Sequence, residues 1–400
     1  MNRLNIQLSG DRVLWILTVA LAIVSLLAVY SASSHLAYPR GRSGIAFLVA
    51  KHAFFLISGF GVMYIAHRQP FRRFAPLSIM LLPLAIGLLV LTLMQGTTIN
   101  DANASRWLRF GGITFQTSAM AGLVLMIYIA RYLARYHGQK LPFKHSFVRL
   151  ILPILIVCGL ILPANLSTAA ILFSSSLALM FIGRYPLKYL LAIIFTGIAF
   201  LALFILLVKA FPNISNRVDT WQSRIERFVD GSSEEGYQLQ KAHMAIAQGK
   251  LLGKGAGKSA QKNFLPQSNS DFIYAIIVEE YGSLGGLFLL VIYLILFFRL
   301  LTIATRSTSL FGTLLTVGCG VGIMVQAFVN MGVAVGIFPV TGQTLPLVSA
   351  GGSSIWMSCL ALGIIQSVSR SYLEAETDQQ PAASERDIED GQDQKGIAHA

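Results

Sequence analysis

Apolar residues run through this chain in long blocks, not in the short periodic alternation of a helix or strand that shows one face to water. Blocks of about 20 residues, the length that crosses a bilayer as a helix, lie near 13–32, 44–66, 76–95, 115–134, 148–162, 166–183, 188–210, 272–298, 310–337 and 345–369. The pattern predicts an all-α polytopic membrane protein with ten transmembrane helices. The fifth and sixth blocks are short and separated only by Pro163, Ala164 and Asn165, so a tight helical hairpin is expected there. The first block is full length and lacks a cleavage pattern of small residues, so it is expected to remain as a span.

Composition agrees with the blocks. Hydrophobic residues make up 54% of the 400 positions and charged residues 12%, with a mean hydropathy of +0.65. A soluble domain carries about 25% charged residues, and a disordered chain is poor in apolar ones, so both classes are excluded. The formal net charge of +13 divides unevenly. Residues 371–400 hold eight acids against Arg386 and Lys395, which predicts a disordered acidic cytoplasmic tail and leaves the body, 13–370, strongly basic.

Most of that basic charge reports topology. Fourteen Lys and Arg lie in the short loops on one side, including Arg68, Arg72, Arg73, Arg131, Arg135 and Arg149, against Arg40, Arg42, Arg106 and Arg109 on the other. By the positive-inside rule, both termini, including the N-terminal tail 1–12, are expected in the cytoplasm of a multi-pass inner (cytoplasmic) membrane protein. The basic balance therefore calls for no nucleic acid.

The same count places residues 211–271, between helices 7 and 8, outside as the one long loop. A connection of this length is usually functional. Trp221, Ile225, Phe228 and Val229 recur at helical spacing, as do Leu239, Ala242 and Ile246, with Ser232 and Glu235 as a capping box before the second set. Such helices would lie along the outer membrane surface or pack together as a subdomain; periodicity alone leaves both readings open.

Three cysteines, Cys158, Cys319 and Cys359, sit scattered in apolar runs and read as small buried hydrophobes. The seven histidines show no metal-ligand spacing, and no metal site is expected. Gly253-Lys254-Gly255-Ala256-Gly257-Lys258-Ser259 ends like a phosphate-binding loop, but Leu252 stands where that motif needs glycine. Nucleotide hydrolysis is rejected; a glycine-rich approach to an anionic headgroup and a plain surface turn remain.

Cations gathered on the outer side, among them Lys51, Arg106, Lys258 and Lys262, suit phosphate or pyrophosphate. Arg106, between Ser105 and Trp107 at the mouth of the fourth span, is the strongest single candidate. The body holds few acids. Asp271 enters the eighth span at the water boundary, where it is either a general base or a helix N-cap. Glu279 lies about 12 Å further along a helix at about 1.5 Å per residue, so Glu279 and Glu280 need cationic or hydrogen-bonding partners. At about 100° per residue, Glu279 falls about 80° from Asp271 and Glu280 about 180°, so one glutamate is expected to share the cavity with Asp271 and the other not. A structural ion pair is the alternative for both. Finally, Gly351-Gly352-Ser353-Ser354 inside the tenth block predicts an interrupted helix, either facing a cavity with backbone N–H groups free for an anion or serving as a packing glycine pair.

These residues resemble the SEDS (shape, elongation, division and sporulation) family of peptidoglycan glycosyltransferases, and its FtsW-like cell-division branch more than its elongation branch. The likeness runs from about residue 13 to 370. It is carried by Ala104-Ser105-Arg106-Trp107-Leu108, Gly253 through Lys262, Leu265-Pro266, Asp271-Phe272-Ile273 with Glu279-Glu280, Asn330-Met331-Gly332, and Thr344-Leu345-Pro346 through Ser354. The chain departs from the family's pattern at Ala119 and Gly122, which replace an acid and a lysine, and at Asn165, which replaces an aspartate, marking a divergent branch.

The resemblance implies ten helices and polymerisation of lipid II into glycan strands at the outer face of the membrane during septal wall synthesis. Asp271 would be the catalytic aspartate, and Arg106, Lys51, Lys258, Lys262, Ser353 and Ser354 would face substrate. A class B penicillin-binding protein transpeptidase and other divisome membrane proteins are the implied partners. No cofactor is demanded, with a requirement for Mg²⁺ or Mn²⁺ left open. The rival expectations are a lipid II flippase and a division scaffold without activity.

Overall fold

In hydrocarbon no water satisfies backbone N–H and C=O groups, so an apolar block must close its hydrogen bonds within itself as a helix. The computed structural model describes residues 9–33, 37–95, 107–110, 113–139, 142–210, 235–265 and 268–397. Its helices are α1 (Arg12–Ser33), α2 (Ala37–Arg68), α3 (Phe74–Gln95), α4 (Thr117–Arg135), α5 (Phe143–Ser146), α6 (Leu152–Ile161), α7 (Leu166–Ile182), α8 (Leu187–Ala210), α9 (Glu235–Gly249), α10 (Ile273–Arg306), α11 (Leu310–Ala334) and α12 (Ser353–Ile397). A π turn over Phe147–Ile151 joins α5 to α6, and one hairpin pairs β1 (Leu108–Phe110) with β2 (Ile113–Phe115).

Each predicted block overlaps a helix, though α2 begins earlier and α10 runs on longer than the apolar pattern indicates. Among the described residues, eight helical stretches are long and apolar enough to cross a membrane, and Leu166–Ile182 is a shorter apolar helix. The tenth block differs: its first residues, 345–352, are not helical, and α12 starts only at Ser353. That is the predicted interruption. At its other end α12 continues to Ile397, through the acidic stretch where composition predicts disorder. Glu, Gln and Ala there are good helix formers.

Local chemistry sets the ends. Asn165 caps α7, its side-chain oxygen accepting from Thr168 N at 3.2 Å. Arg184 takes a left-handed φ of 56° just past the end of α7. Ser309 caps α11 by accepting from Gly312 N at 3.1 Å.

Packing reveals faces that the uniformly apolar sequence conceals. On α1, Leu14, Leu17, Leu21, Ser25, Ala28 and Ala32 are buried, whereas Ile16, Val19, Ile23, Leu27 and Tyr30 are exposed as a lipid-facing stripe. α8 is peripheral, with Leu191, Phe195, Ile198, Leu203 and Leu206 all exposed. α4, α7, α10, α11 and α12 contribute most of the core. Small residues allow α2 and α12 to approach closely: Gly59 faces Cys359, and Gly363 leaves no room for a Cβ against the backbone of Met63.

Of the two helices predicted in the long loop, the one through Trp221 and Val229 lies outside the described residues. The other is α9, and its buried residues Ala242, Ala245 and Gly249 pack on α10. α9 thus packs against a spanning helix, an arrangement that neither expectation named, and Gly249 permits a backbone approach to Val278 that any side chain would block.

Candidate functional site

Three structures meet at one end of the bundle: a clasp around two buried glutamates, a non-helical segment threaded between helices, and a cavity below it.

The clasp corrects the helical-phase expectation. Asp271 is not in a helix; α10 starts at Ile273, Phe272 occupies its N-cap position, and Asp271 precedes both. α10 itself breaks at Gly282, whose φ of 73° and ψ of −178° separate Ile273–Tyr281 from the remainder. Glu279 and Glu280 lie just before the break and are 0% and 1% exposed, and both belong to the same clasp. Glu279 accepts from Lys254 Nζ at 2.7 Å, from Ala260 N at 3.0 Å and Gln261 N at 3.2 Å, and from Ser259 Oγ. Glu280 accepts from Ser31 Oγ and from Ser259 N at 3.3 Å. A buried carboxylate demands this kind of compensation.

The glycine-rich loop is thus occupied by the protein's own acids. Lys254 N and Gly255 N donate to the carbonyls of Glu279 and Glu280 at 3.0 and 2.9 Å, and a Cβ on Gly253 would strike the Glu280 carbonyl. Lys262 is buried and its Nζ donates to Gly257 O at 2.7 Å. Lys258 is exposed and Lys51 half-buried. Arg106 lies outside the described residues.

The threaded segment, 343–352, forms no helix and closes only a single turn, Val348 N and Ser349 N donating to Leu345 O at 3.1 and 2.9 Å, so side chains from surrounding elements must satisfy the rest. Tyr293 Oη donates to Pro346 O at 2.5 Å, Ser25 Oγ to Val348 O at 2.8 Å, and Gln326 Nε2 to Thr344 O at 2.9 Å. Leu347 holds a left-handed φ of 64° within it. The chain around Asp271 is tied to the same segment: Ser349 Oγ donates to Ser270 O at 2.5 Å, and Ala350 N to Asn269 O at 2.9 Å. Asn330 Nδ2 bridges the two, donating to Asp271 O at 2.8 Å and Gln343 O at 2.6 Å. The backbone of Asp271 is therefore fixed, and the residue is partly exposed.

Ser353 and Ser354 open α12. Ser353 is buried and its Oγ accepts from Gln116 N at 2.8 Å; Ser354 Oγ donates to Gly351 O at 2.9 Å. Ser354 also lines a cavity of about 140 Å³ between α4, α7, α11 and α12. Its polar lining includes Gln116, Ser118, Thr168, Gln326 and Gln343, and its apolar part includes Leu123, Met126, Leu172, Ile323 and Met357; no lining residue is ionisable apart from Cys319. Gln343 Nε2 donates to Thr168 Oγ1 at 2.8 Å, so the bridge from Asp271 through Asn330 ends at the cavity wall.

Sequence reading missed Gln326, Gln343 and Thr168. Gln326 and Asn330 carry amides inside an apolar block, a signal that could have found them. Among the described residues no group of three or more His, Cys, Asp or Glu is placed to hold a metal ion.

Comparisons with known proteins agree with this architecture. Residues 11–373 match the family model FtsW/RodA/SpoVE, described as cell cycle protein. Two relatives are each named "Probable peptidoglycan glycosyltransferase FtsW". That of Idiomarina loihiensis is 34% identical over 89% of this chain and 86% of its own length, and that of Nitrosococcus halophilus is 32% identical over 88% and 90%. Among solved structures, a peptidoglycan synthase complex described as coordinating polymerization and crosslinking matches with a TM-score of 0.70 at 26% identity, over 91% of this chain and 98% of that one. The rod shape determining protein RodA of Thermus thermophilus matches with a TM-score of 0.66 at 25% identity, over 92% and 98%. With a family model spanning the helical bundle and relatives matched along nearly their whole length, the chain belongs to the FtsW/RodA/SpoVE family of cell cycle proteins.

Proposed function

We propose that this protein is a peptidoglycan glycosyltransferase that polymerises lipid II into glycan strands at the outer face of the cytoplasmic membrane during septal wall synthesis. The relatives named above carry this activity in their names. The observation that supports the site furthest is the placement of Asp271, a partly exposed residue whose backbone is tied through Asn330 to Gln343 in the wall of an amide-lined cavity. In this reading α7 and the first part of α12 complete ten spans, and both termini are cytoplasmic.

Asp271 acts as general base. It takes the proton from the acceptor hydroxyl as that oxygen attacks the anomeric carbon of the donor, and the bond from that carbon to the lipid pyrophosphate breaks. Negative charge grows on the leaving pyrophosphate, so preorganised cations there lower the barrier. Arg106, Lys51 and Lys258 take that role. Lys262, whose ammonium is engaged at Gly257, shapes the loop that presents Lys258. The partner is a class B penicillin-binding protein, which crosslinks the strands made here.

The test feeds lipid II to the purified chain in proteoliposomes, with and without the transpeptidase, and resolves glycan length on a gel. Chelator followed by Mg²⁺ or Mn²⁺ in the same assay reads the cation requirement. Strand lengthening is expected. Lipid II crossing the bilayer with no lengthening would replace the polymerase by a transporter, and neither activity would leave a scaffold.

A further inference from the structure

Between α9 and the break in α10 the chain turns through Lys250-Leu251-Leu252-Gly253-Lys254, and the two leucines are 62% and 77% exposed. Adjacent leucines this bare on a turn call for a covering. The turn is bolted to α10. Ser283 N and Oγ both donate to Lys250 O at 2.8 Å, and Leu284 N donates to Leu251 O at 3.3 Å. A Cβ on Gly282 would strike the Leu251 carbonyl, so two backbones cross there with no side chain between them. Lys250 itself holds a left-handed φ of 48°, a conformation that non-glycine residues avoid unless the surroundings impose it.

The height of this crossing follows from α10. From Ser283 to Arg306 the helix covers about 35 Å at about 1.5 Å per residue, or about 32 Å vertically at a typical tilt of about 20°. The hydrocarbon core is about 30 Å thick. With Arg306 at one interface, Leu284 starts at the other. There begins the exposed stripe Leu284, Leu287, Phe288, Val291, Ile295 and Phe298, which faces lipid. Leu251, bonded to Leu284, continues that stripe beyond the helix.

We propose that Leu251 and Leu252 insert into the outer leaflet as a wedge, with the exposed Lys250 at the level of the lipid phosphates. The occupant is the bilayer, because the leucines extend a face that lipid already covers and the exposed Lys250 precedes them, an arrangement suited to an interface. The wedge ties the clasp over Glu279 and Glu280 to the membrane surface. Through the short helix Ile273–Tyr281 it also sets the height of Asp271 above the lipid, a consequence that rests on the catalytic reading above.

Leu252→Cys in the full chain, labelled with a polarity-sensitive fluorophore and reconstituted in phosphatidylglycerol-containing vesicles, tests the wedge without using activity. The native Cys158, Cys319 and Cys359 are buried and leave the dye to the new site. Lys258→Cys is the water-exposed control. Blue-shifted emission at position 252, quenched by bilayer nitroxides and insensitive to aqueous iodide, is expected, with the reverse pattern at 258. Quenching of position 252 by iodide would overturn the proposal. So would protection from both quenchers, which would mean that protein covers the leucines.

Discussion

Buried carboxylates hold this protein together at both ends, and they differ from the one carboxylate assigned to chemistry. At the end where α1 begins, Asp11, 2% exposed, accepts from Leu14 N at 2.8 Å and pairs with Arg299, while Gln366 bonds both its backbone N and O at 2.8 Å. That latch joins α1, α10 and α12. At the opposite end Glu279 is saturated by Lys254, a hydroxyl and two backbone N–H groups. Asp271, eight residues before Glu279, is partly exposed, and its backbone carbonyl accepts from Asn330 Nδ2 at 2.8 Å. A carboxylate whose oxygens are fully used inside the protein has no capacity left for substrate. A carboxylate on a partly exposed residue is open to proton exchange with what lies outside the protein.

The comparison is broken or sharpened most strongly at Asp271. Asp271→Asn is expected to lower polymerisation by about 10²- to 10⁴-fold, the usual worth of a positioned base, with an unchanged melting temperature in detergent. Activity near that of the unaltered chain would end its assignment. Glu279→Ala should do the opposite in kind. It strands the N–H groups of Ala260 and Gln261 and leaves Lys254 without its partner, so about 3 kcal/mol of stability should be lost, seen as a lower melting temperature and poor accumulation in the membrane. An Ala variant that is fully stable but inactive would move Glu279 into the catalytic group.

Smaller effects are expected at the Asp11 latch. Asp11→Asn keeps the helix cap but removes the charge opposite Arg299, whose side chain is 32% exposed. Solvent screening reduces the loss to about 1–2 kcal/mol, with polymerisation per folded molecule unchanged. Smallest is Asn165→Ala, which removes the cap of α7 at a cost of about 1 kcal/mol. A larger loss of activity than of stability there would show that Asn165 also works toward the neighbouring cavity residues Gln116 and Thr168.

Much of the fold was legible in the sequence because hydrocarbon imposes one rule on every span. An apolar block of sufficient length must be a helix, and Gly351-Gly352-Ser353-Ser354 marked where one could not be continuous. The resemblance carried by Asp271-Phe272-Ile273 and by Asn330-Met331-Gly332 also identified the family before any geometry was known. Which face of each helix meets lipid was not legible, since α1 is apolar all round and only its neighbours decide that Leu21 is buried and Ile23 is not.

The site divides in the same way. Sequence alone determined that the few acids of the body near the outer mouth were the ones to examine, because charge at membrane depth is too costly to keep without a role. Only the tertiary structure decided which role each has. Helical phase separated Glu279 from Glu280, but the break at Gly282 and the loop folded back onto it put both in one clasp. The apparent anion-binding glycines proved to wrap the protein's own carboxylates. Those outcomes depend on contacts between residues tens or hundreds of positions apart, such as Ser31 with Glu280 and Asn330 with Asp271, and no local pattern encodes which distant partner will satisfy a buried group.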